Sequence, residues 1–458
     1  MQGGDDRLDL LENGLNKYNV NPVNYKGVFN RASCTCSPFS PDGYEAARQL
    51  FNRLRLNPDV FDEVHSQHVE TIKQLINFEG CDRFDVFFAP SGSDLCYYPL
   101  LFSKLIHPER DILNVVTCPE ELGAGSNSAF LGKYYFKRNQ FGDPIEKNSS
   151  IDNDLKIECR TFAARDKNGA IINHWQPLLD AIHEKYLSHS INANLVIGSK
   201  SGIENNVSIV SHTPEDVLWT VDLCQFRASR VLVNGLIGMN CSVMLTGSKF
   251  YQSPPFCAAL LVPKTVSKKF ARPTSQIVTP FSKIFSRYDI PGKFDAIRQH
   301  LRDYRNFGLL LRWEAALQEM KSLAKLDIYS VNKHIQHWNS HVVTKLQESK
   351  YFELMPGQES TNKTIVSFRA KTKNGVYLTH EQLVQLYKGV CGKESDSFDG
   401  GSRILIGQPV KYGEKSFIRI ALGSSNVRRF VENESELSND SQLIKLVEEH
   451  VEAQFWNS

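Results

Sequence analysis

The sequence predicts an α/β protein: a three-layer large domain built on a mainly parallel sheet, followed by a smaller α+β C-terminal domain. Three observations predict it. From about residue 84 to 263, short β-rich runs alternate with helical patterns, as in a parallel sheet whose strands are joined by helices. Several of those runs are apolar almost throughout, which strands covered on both faces require. The chain has 458 residues with 41% hydrophobic content, beyond the roughly 250 to 300 residues at which a single core stops growing.

Taken in order, residues 1–80 hold a Ser-, Pro- and Cys-rich loop at 32–43 and two helical stretches at 44–56 and 62–78, an N-terminal arm with helices. Residues 81–290 form the large domain. Its expected strands are 85–89, 112–117, 195–198, 218–223, 242–245 and 257–262, and Leu178, Leu179 and Ile182 mark a helix over 174–187 with Pro177 in its first turn. Residues 264–272 read as a basic surface loop. Residues 291–458 form the small domain, with helices at 308–323 and 331–347 and strands at 364–369, 403–406 and 417–422. Thr379 with Gln382 is a capping box that starts a helix over 380–387.

Composition narrows the function. The 53 Lys and Arg nearly cancel the 51 Asp and Glu, so no global field draws nucleic acid or an anionic membrane. No stretch approaches the ~20 apolar residues of a bilayer span, and the first residues are polar and acidic instead of signal-like, which predicts a cytoplasmic protein. The ten cysteines are scattered; the close pair Cys34 and Cys36 lacks zinc-knuckle spacing, and His65 with His68 lacks further ligands, so no metal is expected. Trp313 with Leu309 to Leu311 reads as the packed face of a helix.

Three elements carry chemistry. In Phe-Phe-Ala-Pro-Ser-Gly-Ser-Asp-Leu a strand runs into a turn and then a helix, and backbone amides there make an anion cup in which Gly92 and Ser93 hold a phosphate. The plain alternative is an ordinary helix cap. Asp222 ends an apolar strand and needs a cationic or hydrogen-bonding partner; a protonated pyridine nitrogen is one, and a salt bridge to Arg227 or Arg230 is the alternative. Lys249 follows the next strand in Leu-Thr-Gly-Ser-Lys-Phe, placed either as a Schiff-base amine or as a snorkelling surface lysine. Phosphate turn, acid and lysine together are what an enzyme needs to hold pyridoxal 5′-phosphate.

In that order the elements resemble the fold type I pyridoxal-phosphate enzymes, and within them the class V aminotransferases and cysteine desulfurases, over about residues 30 to 425. Val-Asp-Leu-Cys-Gln is similar to the family's Asp-x-x-Gln, which implies Asp222 on the pyridine nitrogen and Gln225 near the phenolic oxygen. Thr-Gly-Ser-Lys resembles Ser-x-His-Lys, which implies Thr246 on the phosphate and Lys249 as the Schiff-base residue. Phe-Ile-Arg-Ile-Ala-Leu-Gly resembles the strand whose arginine, here Arg419, grips a substrate carboxylate. The resemblance implies a homodimer acting on a small amino acid or amine. The Pro- and aromatic-rich segment 251–256 serves a subunit boundary or an internal turn.

Departures accompany the resemblance. Ser248 stands in place of the family's histidine beside the lysine. No histidine follows Thr117 to stack on the cofactor ring, which leaves Glu121, Ser126 or Asn127 facing ring or substrate, and Lys200 or Ser201 replaces an asparagine-rich turn. Aminotransfer needs only Lys249, Asp222 and Arg419 and is the first expectation. The alternative is desulfuration or another Cβ elimination; a desulfurase needs a nucleophilic thiol, for which Cys391, close to Lys393 on a Gly-flanked segment, is the candidate, and its plainer role is a filler at a helix end. A non-catalytic binding module on the same fold is the third.

Overall fold

Burial on both faces explains the larger sheet of this computed structural model, which describes residues 3–167, 169–225, 229–271, 273–356, 363–391, 402–412, 415–433 and 437–455. A short strand, β1 (Val28–Arg31), precedes the helices Pro41–Leu56 and Val60–Ile76. Then come β2 (Phe84–Ala89), β3 (Asp111–Thr117), β4 (Ile157–Phe162), β5 (His189–Val196), β6 (Leu218–Asp222), β7 (Ser242–Thr246) and β8 (Ala258–Pro263). They form a seven-stranded sheet in the order β2-β8-β7-β6-β5-β3-β4. β8 pairs antiparallel with both neighbours, and the remaining pairings are parallel. Every residue of β2 and of β8 is buried, as helices on both faces demand.

Two hydrophobic cores flank this sheet. One contains Phe87, Leu100, Leu101, Val116 and Phe285, and the other Phe84, Val115, Ile182, Val221 and Trp313. Helix Phe307–Ala324 belongs to the second, and it also lies against helix Pro41–Leu56. The latter begins three residues before the apolar pattern, because Ser40 Oγ accepts from the Gly43 N–H at 3.1 Å and Pro41 occupies the first turn.

The smaller sheet holds β1 with β9 (Phe352–Leu354), β10 (Ile365–Ala370), β11 (Arg403–Val410) and β12 (Phe417–Ala421), in the order β1-β11-β12-β10-β9. β1 runs parallel to β11, so a strand from the first 80 residues crosses the expected boundary to join the C-terminal sheet. Helices Ile328–Glu348, His380–Cys391 and Leu437–Phe455 cover that sheet through Trp338, Leu383, Leu386 and Val447. The Thr379 capping box is present: the Thr379 N–H donates to Gln382 Oε1 at 2.9 Å, and the Gln382 N–H to Thr379 Oγ1 at 3.2 Å.

Two strands differ from expectation for physical reasons. β5 starts six residues early because its polar Asn192 is satisfied inside the protein, donating to Asn114 Oδ1 and accepting from Ser103 Oγ, both at 2.9 Å. β4 is a sheet edge, half-buried and carrying Glu158 and Arg160, so no apolar run announces it. The basic segment expected as a surface loop opens with a short helix, Lys264–Ser267, whose Val266 and Ser267 are buried; Arg272 lies outside the described residues. Among the described residues no helix is long and apolar enough to cross a membrane.

Candidate active site

The C-terminal ends of β2, β3, β5, β6 and β7 open on a cavity of about 330 Å³, lined also by Cys34, Thr35 and Arg419 of the smaller sheet and the loop leading to it. Parallel α/β sheets place ligand sites at these strand ends, where backbone amides and helix N-termini are unsatisfied.

Ser91, Gly92 and Ser93 leave β2 and start the helical run Asp94–Tyr97 and Tyr98–Ile106. A Cβ on Gly92 would stand 3.0 Å from Cys224 Sγ and 3.3 Å from Thr246 Cγ2, so the turn's backbone lies against the ends of β6 and β7. Thr246 Oγ1 donates to the Cys224 carbonyl at 3.0 Å. Beneath the turn, buried Asp94 accepts from Ser91 Oγ at 2.8 Å and from the Tyr135 hydroxyl at 2.6 Å. Burial, with Asp5 close by, pushes its carboxyl up to about 6.

Asp222, the last residue of β6, is half-buried on the cavity wall, and its Oδ1 accepts from the Cys224 N–H at 2.8 Å. Of its two alternative partners, Arg230 donates instead to the Asn77 carbonyl, and Arg227 lies outside the described residues. Gln225 lines the cavity and donates from Nε2 to the Cys34 carbonyl at 2.7 Å. Lys249 follows β7 by three residues and lines the same cavity, its carbonyl accepting from Ser37 Oγ at 3.3 Å. Gly247 is required on the way: a Cβ there would meet Ala316 at 2.5 Å and Cys257 Sγ at 2.7 Å.

Arg419, on β12 and 3% exposed, closes the opposite wall. Its Nη1 donates to the Cys34 carbonyl at 3.4 Å, and Nη2 to Thr35 Oγ1 at 3.1 Å and the Gln408 carbonyl at 3.0 Å. Its Nε is buried without a hydrogen-bond partner among the described residues. Glu121 lines the cavity, but its carboxylate is engaged by the Ser201 N–H at 2.9 Å and by Ser201 Oγ. Lys200 reaches in from beyond β5, its amine donating to the carbonyls of Glu120 at 3.2 Å and of Leu122. Enclosure of that amine, with the Arg419 and Lys249 charges beside it, pushes it down to about 8 against the pull of Glu121.

Two expected residues do not join the site. Asn127 is exposed on the helix Ser126–Phe130, with its Nδ2 3.5 Å from the Pro119 carbonyl, because the turn after β3 brings Glu121 and Ser126 inward instead. Cys391 is the last residue of helix His380–Cys391, only 1% exposed and packed in the hydrophobic core of the smaller sheet, and that burial pushes its thiol up to about 12. Lys393 and the segment following the cysteine lie outside the described residues. In segment 251–256, Gln252 Oε1 accepts from the Ser425 N–H at 2.8 Å and from its hydroxyl at 2.7 Å. Among the described residues no three His, Cys, Asp or Glu are grouped to hold a metal ion; His68 meets Glu314 at 2.6 Å, and His65 stacks on Phe61.

Sequence reasoning missed Arg7, Tyr18, Thr35 and Gln408, all of which line the cavity. They come from the N-terminal segment and β11, and no local pattern marks them.

No protein-family model matches this chain, and no curated protein matches it. Solved structures do. A phosphoserine aminotransferase from Cytophaga hutchinsonii is similar with a TM-score of 0.53 at 13% identity, over 90% of this chain and 99% of that one. The cysteine desulfurase CsdA from Escherichia coli matches with a TM-score of 0.55 at 12% identity, over 91% and 94%. Oryza sativa TDC, solved with PLP, matches with a TM-score of 0.55 at 11% identity, over 93% and 83%. The likeness shows the fold, which is the fold type I architecture expected from the sequence. Aminotransferases and desulfurases share that fold, so it does not select a reaction.

Proposed function

We propose that the protein is a pyridoxal-phosphate-dependent enzyme acting on an amino acid or related amine through Lys249, an aminotransferase in its simplest form. One observation carries the reading: the Ser91 to Ser93 turn, Asp222, Lys249 and Arg419, far apart in sequence, line one cavity. The residues fit the cofactor. The Gly92 turn lies so close to Cys224 and Thr246 that a Cβ there would press on both, and the buried Arg419 Nε has no hydrogen-bond partner among the described residues, a donor suited to a carboxylate.

Gly92, Ser93 and Thr246 would hold the phosphate, Asp222 the pyridine nitrogen, Gln225 the phenolic oxygen side and Lys249 the aldehyde carbon. When bound, the group supplies an electron sink conjugated to the substrate's amine-bearing carbon. Asp222 would favour a protonated ring nitrogen through its negative charge. Lys249 Nζ would take and return the proton at the substrate Cα. Arg419 fixes the substrate by its carboxylate, and its hydrogen bonds to Cys34, Thr35 and Gln408 hold the guanidinium plane in advance.

The burial of Cys391 weighs against it as the thiol of a desulfurase and supports aminotransfer over desulfuration through that residue. The homodimer that the family resemblance implies and the cytoplasmic location expected from the sequence are proposals that light scattering and cell fractionation test. For the cofactor, protein incubated with pyridoxal 5′-phosphate and treated with borohydride is digested and mapped. The expected result is a pyridoxyl label on Lys249, absent from Lys249→Ala. A label on another residue, or on none, refutes the reading. A screen of amino acids against the loaded protein, read by conversion of its visible absorbance to the amine form, then separates aminotransfer from elimination.

A further inference from the structure

Arg7 stands at the phosphate turn and has no part in the chemistry assigned above. Asp5 grips its guanidinium: Nε lies 2.8 Å from one carboxylate oxygen and 3.0 Å from the other, and Nη2 lies 2.5 Å from Oδ2. Nη2 also donates to Ser91 Oγ at 2.8 Å and to the Tyr135 hydroxyl at 3.1 Å. The rings of Tyr135 and Phe256 lie 4.9 and 4.4 Å from the guanidinium carbon. With two rings against it and one edge fixed by a carboxylate, the group is held in one orientation. Tyr18, which also lines the cavity, borders the guanidinium, and Arg7 lines the cavity beside Ser91, Gly92 and Ser93.

We propose that Arg7 is a further ligand of the cofactor's phosphate, presented by the N-terminal segment of the same chain and positioned by Asp5. The inference rests on the pyridoxal-phosphate reading for its ligand. Its physical ground is the charge beneath the turn. A phosphate arriving at the Gly92 and Ser93 amides also approaches buried Asp94, whose negative charge opposes it. Arg7 meets Ser91, the residue that Asp94 holds, and so stands between the carboxylate and the incoming anion. Because Asp5 balances its net charge, Arg7 acts as an aimed, charge-assisted donor and not as a long-range attractor.

The segment carrying Arg7 is docked by other contacts. The Gly3 carbonyl accepts from Asn306 Nδ2 at 2.8 Å and Arg312 Nη2 at 3.0 Å, and Asp6 Oδ1 accepts from the Lys137 N–H at 2.9 Å. Beyond the position Arg138 donates to Asp9, so loss of the Arg7 side chain leaves the segment anchored on both sides.

The test is a fluorescence titration of the full-length apoprotein with pyridoxal 5′-phosphate and, separately, with pyridoxal, which lacks the phosphate. Arg7→Ala should weaken the phosphorylated aldehyde roughly ten- to hundredfold, the size of a charge-assisted hydrogen bond, and leave pyridoxal within about twofold. Arg7→Lys, which keeps the charge without the fork, should recover part of the loss. Equal weakening of both aldehydes would assign Arg7 to packing alone and overturn the inference, as would unchanged affinity for the phosphorylated form. A wild-type protein that takes up neither aldehyde would overturn the cofactor reading and this inference with it, an outcome distinct from the two that strike at Arg7 alone.

Discussion

Arg419 Nη2 lies 3.1 Å from Thr35 Oγ1, so the guanidinium assigned to the substrate carboxylate is held by a loop nearly 400 residues earlier in the chain. The Gln408 N–H approaches the same hydroxyl at 3.3 Å, which ties the loop to β11 as well. Thr35→Val keeps the volume and removes this hydroxyl, while the Cys34 and Gln408 carbonyls still hold the arginine. The expected outcome is a KM for the amino acid raised about three- to tenfold, near one kcal/mol, with a smaller change in kcat. Steady-state kinetics check it; an unaltered KM would separate Thr35 from substrate binding.

Lys200 makes stability depend on pH. Its folded pKa of about 8 lies below the ordinary 10.5. Below pH 8 both folded and unfolded chains carry the charge, and the folded state bears the cost of enclosing it. Between pH 8 and 10.5 the folded amine loses its proton while the unfolded one keeps it, so the unfolded state binds more protons and stability rises with pH. Relative to Lys200→Met, wild-type apoprotein should therefore gain up to roughly 3 kcal/mol across that window, less to the extent that solvent reaches the amine. Urea unfolding of both proteins at pH 7, 8.5 and 10 measures the divergence. Parallel curves would mean that the amine is not held in this environment.

What was legible in the sequence, and what was not, follows from where each signal is stored. β2 and β8 were legible because burial on both faces leaves an unbroken apolar run, and Asp222 and Lys249 because a charge ending such a run needs a reason. β4 was hidden by its edge position, and the first half of β5 by asparagines whose partners, Asn114 and Ser103, come from other elements. Arg7 and Thr35 were hidden for the same cause: their roles depend on Ser91 and Arg419, and separations of that length leave no local pattern. Arg419 itself was found through the family resemblance, since an arginine within an apolar strand reads equally well as one half of a buried ion pair.

Arg31 and Asp440 are such a pair, joining β1 to helix Leu437–Phe455. Both side chains are fully buried, with Nε to Oδ1 at 2.7 Å and Nη2 to Oδ2 at 2.9 Å. Asp440→Ala strands the arginine charge in the core and should cost about 3 to 5 kcal/mol of stability. The double variant Arg31→Leu with Asp440→Leu removes both charges and should recover much of that loss. Urea unfolding of the single and double variants checks this. A double variant no more stable than Asp440→Ala would show that packing, and not the stranded charge, sets the cost.

Cys391 tests the choice between aminotransfer and desulfuration. A nucleophilic thiol must be exposed and ionisable near neutral pH, and this one is 1% exposed with its pKa pushed up to about 12 by burial. Exposed Cys81 provides an internal comparison within the same protein. In native protein an aromatic disulfide reagent should label Cys81 promptly and Cys391 only as fast as the small domain opens, with denaturant removing the difference. Any sulfur released from cysteine should be the same for wild type and Cys391→Ser. Peptide mapping after timed labelling gives the first comparison and a sulfide assay the second. Prompt labelling of Cys391 together with a loss of sulfide in Cys391→Ser would reverse the preference stated above, because it would show that the helix end opens to place the thiol within reach of substrate.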